Sequence, residues 1–253
     1  MRTLWLGLRA ALFYLGYGIL TAWYSLTGLL FARWFPYDLR TPYMLTWNNA
    51  TLFWLWLCCG VRVRVRGSEN WPQGRPCVIV GKHQSQWETF FLQIAHPPTA
   101  TVLKRELLAI PFFGWGLRLM EPIAIDRSNP KQALRQIQEQ GMDRIARGRN
   151  VLIFPEGTRT PVGKTGNYGR SGAELACRAG VPLVPVAHNA GVCWPARSFL
   201  KYPGTIDVVI GKPIETDGAD SRQLTEQVKA WIEGEVAAMP TTPGAPCRGP
   251  QTP

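Results

Sequence analysis

The chain has 253 residues, a net charge of +11 and a pI of about 9.7. This length fits one domain with at most an appendage, and the basic charge favours an anionic membrane, a phosphorylated substrate or nucleic acid as a partner. Three histidines, and six cysteines without a Cys-x-x-Cys pair, offer no recognisable zinc site, so free thiols in a reducing compartment are expected.

The N-terminal part is apolar and rich in tryptophan. Residues 10–32 carry no charge and are long enough to cross a bilayer as a helix. A second uncharged stretch, residues 41–61, is interrupted by polar residues, and its strongly apolar part, residues 52–60, would be about 14 Å long as a helix. Six of the eleven tryptophans lie in the first 60 residues, which is typical of a membrane interface rather than of a nucleic-acid groove.

These features predict a membrane anchor made of two hydrophobic helices in residues 1–60. The helices either span the bilayer as a hairpin or lie within one leaflet, and a buried helical pair in a soluble core is the remaining alternative. Basic residues flank the anchor at Arg2 and Arg9 and again at Arg62, Arg64 and Arg66. The positive-inside rule then predicts that the following domain lies on the cytoplasmic side of the inner membrane.

Residues 61–239 alternate between strand and helix patterns. Strands are predicted at residues 61–67, 77–80, 99–103, 122–125, 151–154, 181–187 and 205–210. Helices are predicted at residues 87–95, 130–147, 170–179 and 221–239. This alternation predicts an α/β domain with a mixed, mainly parallel sheet flanked by helices, followed by a disordered tail at residues 240–253, which are rich in Pro, Thr and Gly.

The strongest chemical signal follows the second predicted strand. His83 and Glu88 are five residues apart, directly after the apolar run of residues 77–80. Residues five apart on one helix point about 140° away from each other, so contact requires His83 on the turn and Glu88 in the first helical turn. A carboxylate placed there fixes one imidazole nitrogen and leaves the other free to accept a proton. The alternative is a histidine that merely ends a strand.

Basic residues follow three further predicted strands. Lys104 and Arg127 each come directly after a strand, and residues 154–159 read Phe-Pro-Glu-Gly-Thr-Arg. Gly157 permits a sharp turn that exposes backbone N–H groups, and Arg159 offers a planar two-pronged donor for phosphate. Taken singly, each cation is more often a solvated surface charge. His96 and His188 are expected to be structural.

These motifs together resemble the 1-acylglycerol-3-phosphate acyltransferases, within the glycerophospholipid acyltransferase superfamily. The family's His-x4-Asp motif is matched by residues 83–88, and its Phe-Pro-Glu-Gly-Thr-Arg motif is unchanged at residues 154–159. Shorter blocks match at residues 104–107, 121–127 and 181–186, so the likeness covers residues 75–190.

The sequence departs from the family pattern at three positions. Glu88 stands where Asp is usual, and Glu121 and Ala124 stand where Gly and Phe are usual. Within the block at residues 121–127, a functional role is therefore expected only of Arg127.

The resemblance implies an enzyme that moves a fatty acyl group from acyl-CoA or acyl-ACP to the sn-2 hydroxyl of lysophosphatidic acid. His83 would remove the hydroxyl proton, and Glu88 would hold its tautomer and stabilise the imidazolium, as in a serine-protease triad whose nucleophile is the substrate. Arg159 and Lys104 would clamp the phosphate, and Glu156 would bond the glycerol. The implied substrate-binding residues are Lys104, Arg127, Glu156, Gly157, Thr158 and Arg159.

No cofactor and no metal is implied, and the expected partners are a lysophospholipid, the thioester donor and membrane lipids. Another lysolipid acceptor, such as a lyso-ornithine lipid or lysophosphatidylethanolamine, fits the same motifs. A non-catalytic membrane-bound anion-binding protein would not require both His83 and Glu88. A nucleic-acid binder is disfavoured by the apolar N-terminus.

Overall fold

The computed structural model describes residues 1–243, so most of the predicted tail, residues 244–253, lies outside the described residues. The helices are α1 (Arg2–Leu30), α2 (Tyr37–Cys59), α3 (Trp87–Ala95), α4 (Phe113–Leu119), α5 (Pro130–Ala146), α6 (Ser171–Ala179) and α7 (Ser221–Ala238). The strands are β1 (Val61–Arg66), β2 (Val78–Gly81), β3 (Thr99–Lys104), β4 (Ile123–Ile125), β5 (Asn150–Ile153), β6 (Leu183–His188) and β7 (Gly204–Ile210).

Within the described residues the strands form one sheet in the order β1-β7-β6-β2-β5-β3-β4. All neighbours pair in parallel except β6 and β7, which are antiparallel. The predicted mixed, mainly parallel α/β sheet is therefore confirmed. Because β2, β5, β3 and β4 are parallel neighbours, their carboxyl ends meet at one edge, where α/β folds place their chemistry.

Local sequence explains why the elements begin and end where they do. Strands β2 and β5 are buried along their whole length, as expected for short apolar runs in a parallel sheet. The Asn129 side chain accepts a hydrogen bond from the Gln132 N–H and caps α5, whose first residue is Pro130. Helix α6 ends at Gly180, which adopts a left-handed conformation with φ of 62°.

Helix α1 packs along the domain instead of projecting from it. In its first half Phe13 is fully buried, with its ring 5.1 Å from that of Trp194. Near its end the Ser25 hydroxyl donates to the Phe112 carbonyl at 2.6 Å, and Gly28 lies against Leu119. The helix is thus held to the domain both near its middle and near its end.

The opposite face of α1 presents a continuous row of large apolar side chains, which we call the outer stripe. Its members are 45% to 80% exposed, at helical spacings of three and four residues. The outer stripe consists of Leu4, Leu8, Leu12, Leu15, Ile19, Trp23, Leu26 and Leu30. An uninterrupted apolar row of this length marks a surface that meets lipid or another protein.

Helix α2 begins at Tyr37, four residues before the uncharged stretch at residues 41–61, and ends at Cys59. Its Met44 and Leu55 are buried inside the protein. Among the described residues only α1 is long and apolar enough to cross a membrane. The helical pair exists, but a second membrane-inserted helix stays a prediction.

Strand β1 differs from its pattern. The alternation of Val and Arg predicts one buried face, yet only Val61 is buried, while Val63 and Val65 are each 40% exposed. The reason is its position, since β1 is the edge strand and pairs only with β7.

Charged substitutions in the outer stripe should weaken membrane binding without unfolding the protein. We expect Leu8→Asp combined with Leu15→Asp to weaken binding to anionic vesicles by about 2 kcal/mol or more, because two exposed leucines lose their lipid contact. Vesicle co-sedimentation measures the change. Phe13→Asp is the contrasting variant and should lose the fold, because Phe13 is fully buried. Unchanged vesicle binding by the double variant would contradict a lipid-facing stripe.

Candidate active site

The predicted geometry of His83 and Glu88 is observed. His83 lies in the turn after β2, and Glu88 lies in the first turn of α3. Their side chains meet through His83 Nδ1 and Glu88 Oε1, which are 2.8 Å apart. Glu88 is fully buried, whereas the His83 side chain is 11% exposed. His83 lines a groove, and its Nε2 makes no hydrogen bond to any described residue, so it is free for a substrate.

Glu88 is itself held by the backbone. Its Oε1 accepts hydrogen bonds from the N–H groups of Gln84 and Ser85 at 3.0 and 2.9 Å. Burial alone would raise the pKa of the Glu88 carboxyl. The imidazoles of His188 and His83 and the hydrogen bonds from His83 and Ser85 outweigh burial and hold that pKa below its ordinary value. A carboxylate fixed in this way orients the imidazole and requires the proton of His83 to sit on Nδ1.

The His83 ring and main chain are also positioned by the segment that follows β5. The imidazole stacks on the Phe154 ring, with centroids 4.3 Å apart and an interplanar angle of 17°. The His83 N–H donates to Glu156 Oε2 at 2.9 Å, and the His83 carbonyl accepts from the Thr160 N–H at 2.8 Å. The motif at residues 154–159 therefore has two roles: Phe154 and Glu156 hold His83 in place, and other residues of the motif line the groove.

Glu156 does not reach the groove, which corrects its expected contact with glycerol. Its side chain has no exposed surface, and its oxygens accept hydrogen bonds from Lys82, Thr160, Gly166 and the His83 N–H. A carboxylate enclosed and bonded in this way positions its neighbours instead of binding a substrate.

Lys82 was missed by sequence reasoning. Its side chain is completely buried, and its Nζ lies 2.7 Å from Glu156 Oε1 and 2.8 Å from Glu233 Oε1. No local signal distinguished it, because a lysine that follows an apolar strand can equally be exposed, as Lys104 is. Its partner Glu233 on α7 is 151 residues away in sequence, and no local sequence pattern links the two residues.

The predicted cations gather around the groove. Lys104, Arg127 and Arg159 all line it, as does Thr158. Arg127 donates a hydrogen bond to the Gly157 carbonyl, which ties the end of β4 to the turn after β5. Gly157 adopts φ of 64°, as the predicted sharp turn requires.

Among the groove cations, Lys104 forms an exposed ion pair with Glu106 at 3.1 Å. Arg197, in the loop before β7, also lines the groove and is exposed, although no sequence pattern pointed to it. Lys104, Arg127, Arg159 and Arg197 thus line the same groove as His83, an arrangement that favours an anionic substrate.

Beyond the cations the groove is apolar and runs between the sheet and the N-terminal helices. It encloses about 740 Å³. Its apolar and aromatic lining comes from α1, α2, α3, β3 and the segment leading into α4: Tyr17, Trp47, Phe90, Val102, Leu103, Leu107, Ile110, Phe112, Phe113 and Leu117. A charged mouth followed by an apolar channel suits an amphiphilic ligand.

The other two histidines occupy structural positions. His96 stacks on Trp71, with ring centroids 4.7 Å apart. His188 is fully buried, and its Nε2 donates to the Lys82 carbonyl at 2.7 Å while its Nδ1 accepts from the Ala190 N–H at 3.2 Å. Burial lowers the pKa of His188, and the Glu88 carboxylate opposes that shift.

In residues 1–243 no three side chains from His, Cys, Asp and Glu lie together in a way that could hold a metal ion. The absence of metal and cofactor from the chemistry stays a prediction.

Comparison with known proteins agrees with this geometry. A family model described as Acyltransferase matches residues 62–189. The chain is 50% identical over 206 residues to a 1-acyl-sn-glycerol-3-phosphate acyltransferase from Pseudomonas aeruginosa, covering 79% of this chain and 80% of the relative. It is 31% identical over 160 residues to a chloroplastic 1-acyl-sn-glycerol-3-phosphate acyltransferase from Brassica napus, covering 62% of this chain and 46% of that protein.

A solved structure shares the fold. The crystal structure of a 1-acyl-sn-glycerophosphate acyltransferase from Thermotoga maritima superposes with a TM-score of 0.79 and 24% identity. The match covers 94% of this chain and 97% of the other. The N-terminal helices are therefore included in a shared architecture.

The enclosed Lys82–Glu156 pair should be important for stability. Glu156→Gln removes one charge of a fully buried pair, so we expect the free energy of unfolding in detergent to fall by about 3 to 5 kcal/mol. Chemical denaturation followed by circular dichroism measures the loss. Glu139→Gln is the matched control, because its ion pair with Arg135 is exposed on α5 and should contribute little. Equal stabilities of the two variants would contradict the role given to Glu156.

Proposed function

Because this chain belongs to the acyltransferase family, we propose that it catalyses the same reaction as its 50% identical relative. It is a 1-acylglycerol-3-phosphate O-acyltransferase, which acylates lysophosphatidic acid and yields phosphatidic acid. The observation that carries the proposal is the His83–Glu88 pair, whose imidazole lines a groove that is also lined by four cations and by apolar side chains. The acceptor has the matching parts, namely a hydroxyl to activate, a phosphate and an acyl chain.

The reaction needs a base, because a hydroxyl is a poor nucleophile at neutral pH. His83 Nε2 accepts the proton of the sn-2 hydroxyl as its oxygen attacks the thioester carbonyl carbon. The new C–O bond forms, the C–S bond breaks, and the imidazolium returns the proton to the departing thiolate. Glu88 stays ionised and stabilises the transient imidazolium. No covalent acyl-enzyme is needed, since the substrate supplies the nucleophile.

Phosphate binding is assigned to the cations at the mouth. Arg159 is exposed, lines the groove and forms no ion pair with a described residue, so its guanidinium is available for a bidentate contact. Lys104 and Arg127 lie on the same rim, and Thr158 adds a hydroxyl. The Gly157 turn orients the loop that carries Thr158 and Arg159.

Membrane association follows from the surface of α1. The outer stripe enters the bilayer while the other face of the helix stays packed on the domain, which supports burial within one leaflet over a span. The exposed Arg62 and Arg66 would then meet anionic headgroups at the edge of the sheet. We place the domain on the cytoplasmic side of the inner membrane by the positive-inside rule.

Acyl-CoA and acyl carrier protein remain alternative thioester donors, because the motifs set the chemistry and not the carrier. A different lysolipid acceptor is the second candidate, since the groove cations would bind any phosphorylated headgroup.

The function is tested by acyl transfer to a panel of acceptors. We expect purified protein in anionic vesicles to acylate lysophosphatidic acid in preference to lysophosphatidylethanolamine and lyso-ornithine lipid, with acyl-CoA and acyl-ACP compared as donors. His83→Ala should abolish transfer and keep the circular dichroism spectrum. An absence of transfer to lysophosphatidic acid from either donor would contradict the proposal.

Arg159→Ala should weaken acceptor binding. Loss of a charge-assisted contact costs about 2 to 3 kcal/mol, which corresponds to about 30- to 150-fold in the apparent constant for lysophosphatidic acid. Steady-state kinetics should show the change in the acceptor KM, with the donor KM nearly unaltered. Arg135→Ala on α5 is the control and should behave as the wild type. A donor KM that rises while the acceptor KM stays constant would reassign Arg159 to the donor.

A further inference from the structure

Behind the catalytic turn lies a buried cluster of charges that the reaction chemistry leaves unused. The Lys82 ammonium, which has no exposed surface, contacts two carboxylates, Glu156 at 2.7 Å and Glu233 at 2.8 Å. It also donates to the Lys164 carbonyl at 3.1 Å. Isolated charges are very costly to bury, so this arrangement persists only because all the donors of Lys82 are matched.

Glu233 is the member that comes from the C-terminal helix α7. Besides Lys82 it accepts hydrogen bonds from the Tyr168 hydroxyl at 2.7 Å and from the Thr165 hydroxyl at 2.9 Å. Burial alone would raise the pKa of Glu233, but the hydrogen bonds from Lys82, Tyr168 and Thr165 outweigh it and keep that pKa below its ordinary value. Glu233 is thus an ionised carboxylate with three partners, two of them in the loop before α6.

The cluster is connected to the catalytic histidine through two short links. Lys82 directly precedes His83 in the chain, so the Lys82 side chain fixes the start of the turn. Glu156 holds Lys82 through Oε1 and the His83 N–H through Oε2, at 2.7 and 2.9 Å. Thr160 donates its hydroxyl to Glu156 and its N–H to the His83 carbonyl, which completes the support on the other side of the peptide.

We propose that Glu233 is a positioning residue for catalysis, which acts through Lys82 and Glu156 to hold the His83 imidazole at the mouth of the groove. The inference rests on the proposed function in that His83 is the base. Without the Glu233 charge, Glu156 is the one carboxylate left to Lys82, and this shared carboxylate shifts toward the ammonium and away from the His83 N–H. The C-terminal helix therefore contributes to the geometry of a site that none of its residues lines.

The effect should appear in turnover and not in substrate binding. Glu233 does not line the groove, so Glu233→Gln should leave the KM values for lysophosphatidic acid and for the donor within about twofold. A small displacement of the base should lower kcat by about 10- to 100-fold.

Glu226→Gln removes the same charge from an exposed position of α7 and should retain wild-type kcat. Tyr168→Phe removes one donor to Glu233 and should give a smaller loss, which provides a milder variant if Glu233→Gln does not fold.

A second measurement is independent of activity. Diethyl pyrocarbonate modifies exposed imidazoles, and peptide mass spectrometry reads the rate at each of the three histidines separately. In folded Glu233→Gln the modification of His83 should become several-fold faster relative to His96, because the turn is held less tightly. His188, which is fully buried, should stay unmodified and confirms that the fold is intact.

The outcomes separate the two claims. Lower kcat with constant KM, together with faster modification of His83, supports the positioning role. Wild-type kcat and wild-type His83 reactivity in Glu233→Gln would overturn it, as would an equal loss in Glu226→Gln. If the wild type does not acylate lysophosphatidic acid, the proposed function fails, and the reactivity of His83 still decides whether Glu233 holds the turn.

Discussion

The hydrogen bond between His83 Nδ1 and Glu88 Oε1 is the contact on which the whole site depends. It forms because the chain leaves β2 in a tight turn and enters α3 within five residues, so that the carboxylate faces back toward the imidazole. The same oxygen accepts the N–H groups of Gln84 and Ser85, which lock the turn around it. One buried carboxylate therefore fixes the turn, the tautomer and the direction of the free nitrogen.

The sheet order places every other functional group around that nitrogen. Strands β2, β5, β3 and β4 are parallel neighbours, so four loops that are distant in sequence meet at one edge. Three of them contribute cations to the mouth of the groove, and the segment after β5 also supports His83 from beneath. The apolar groove is closed on one side by α1 and α2, and the outward face of α1 carries the outer stripe that we propose to enter the bilayer. On this proposal the same helix shapes the groove and holds the domain at the membrane.

Sequence reasoning recovered what local pattern encodes. Buried four-residue strands, the capped helix α5 and the turn geometry of His83 and Glu88 follow from hydrophobic runs, caps and helical period. The family resemblance drawn from the motifs was confirmed by the comparisons. In contrast, Glu156 was expected to touch glycerol and is instead enclosed with Lys82, a residue that the sequence analysis did not single out.

The contacts that were missed share a physical cause. Lys82 meets Glu233, and α1 meets the segment before α4, through tertiary pairings between distant parts of the chain that leave no periodic trace in either segment. The exposure of β1 likewise depends on its place at the sheet edge, which alternation of Val and Arg cannot reveal.

The most direct test of the account is single-turnover acyl transfer in Glu88→Gln and Glu88→Asp, with circular dichroism as the folding control. Gln keeps the size of the side chain but loses the charge that stabilises the imidazolium, so we expect a loss of about 10²- to 10⁴-fold. Asp keeps the charge and is the usual residue of the family, so it should retain far more activity than Gln. A wild-type rate in folded Glu88→Gln would contradict the role of the charged pair in catalysis.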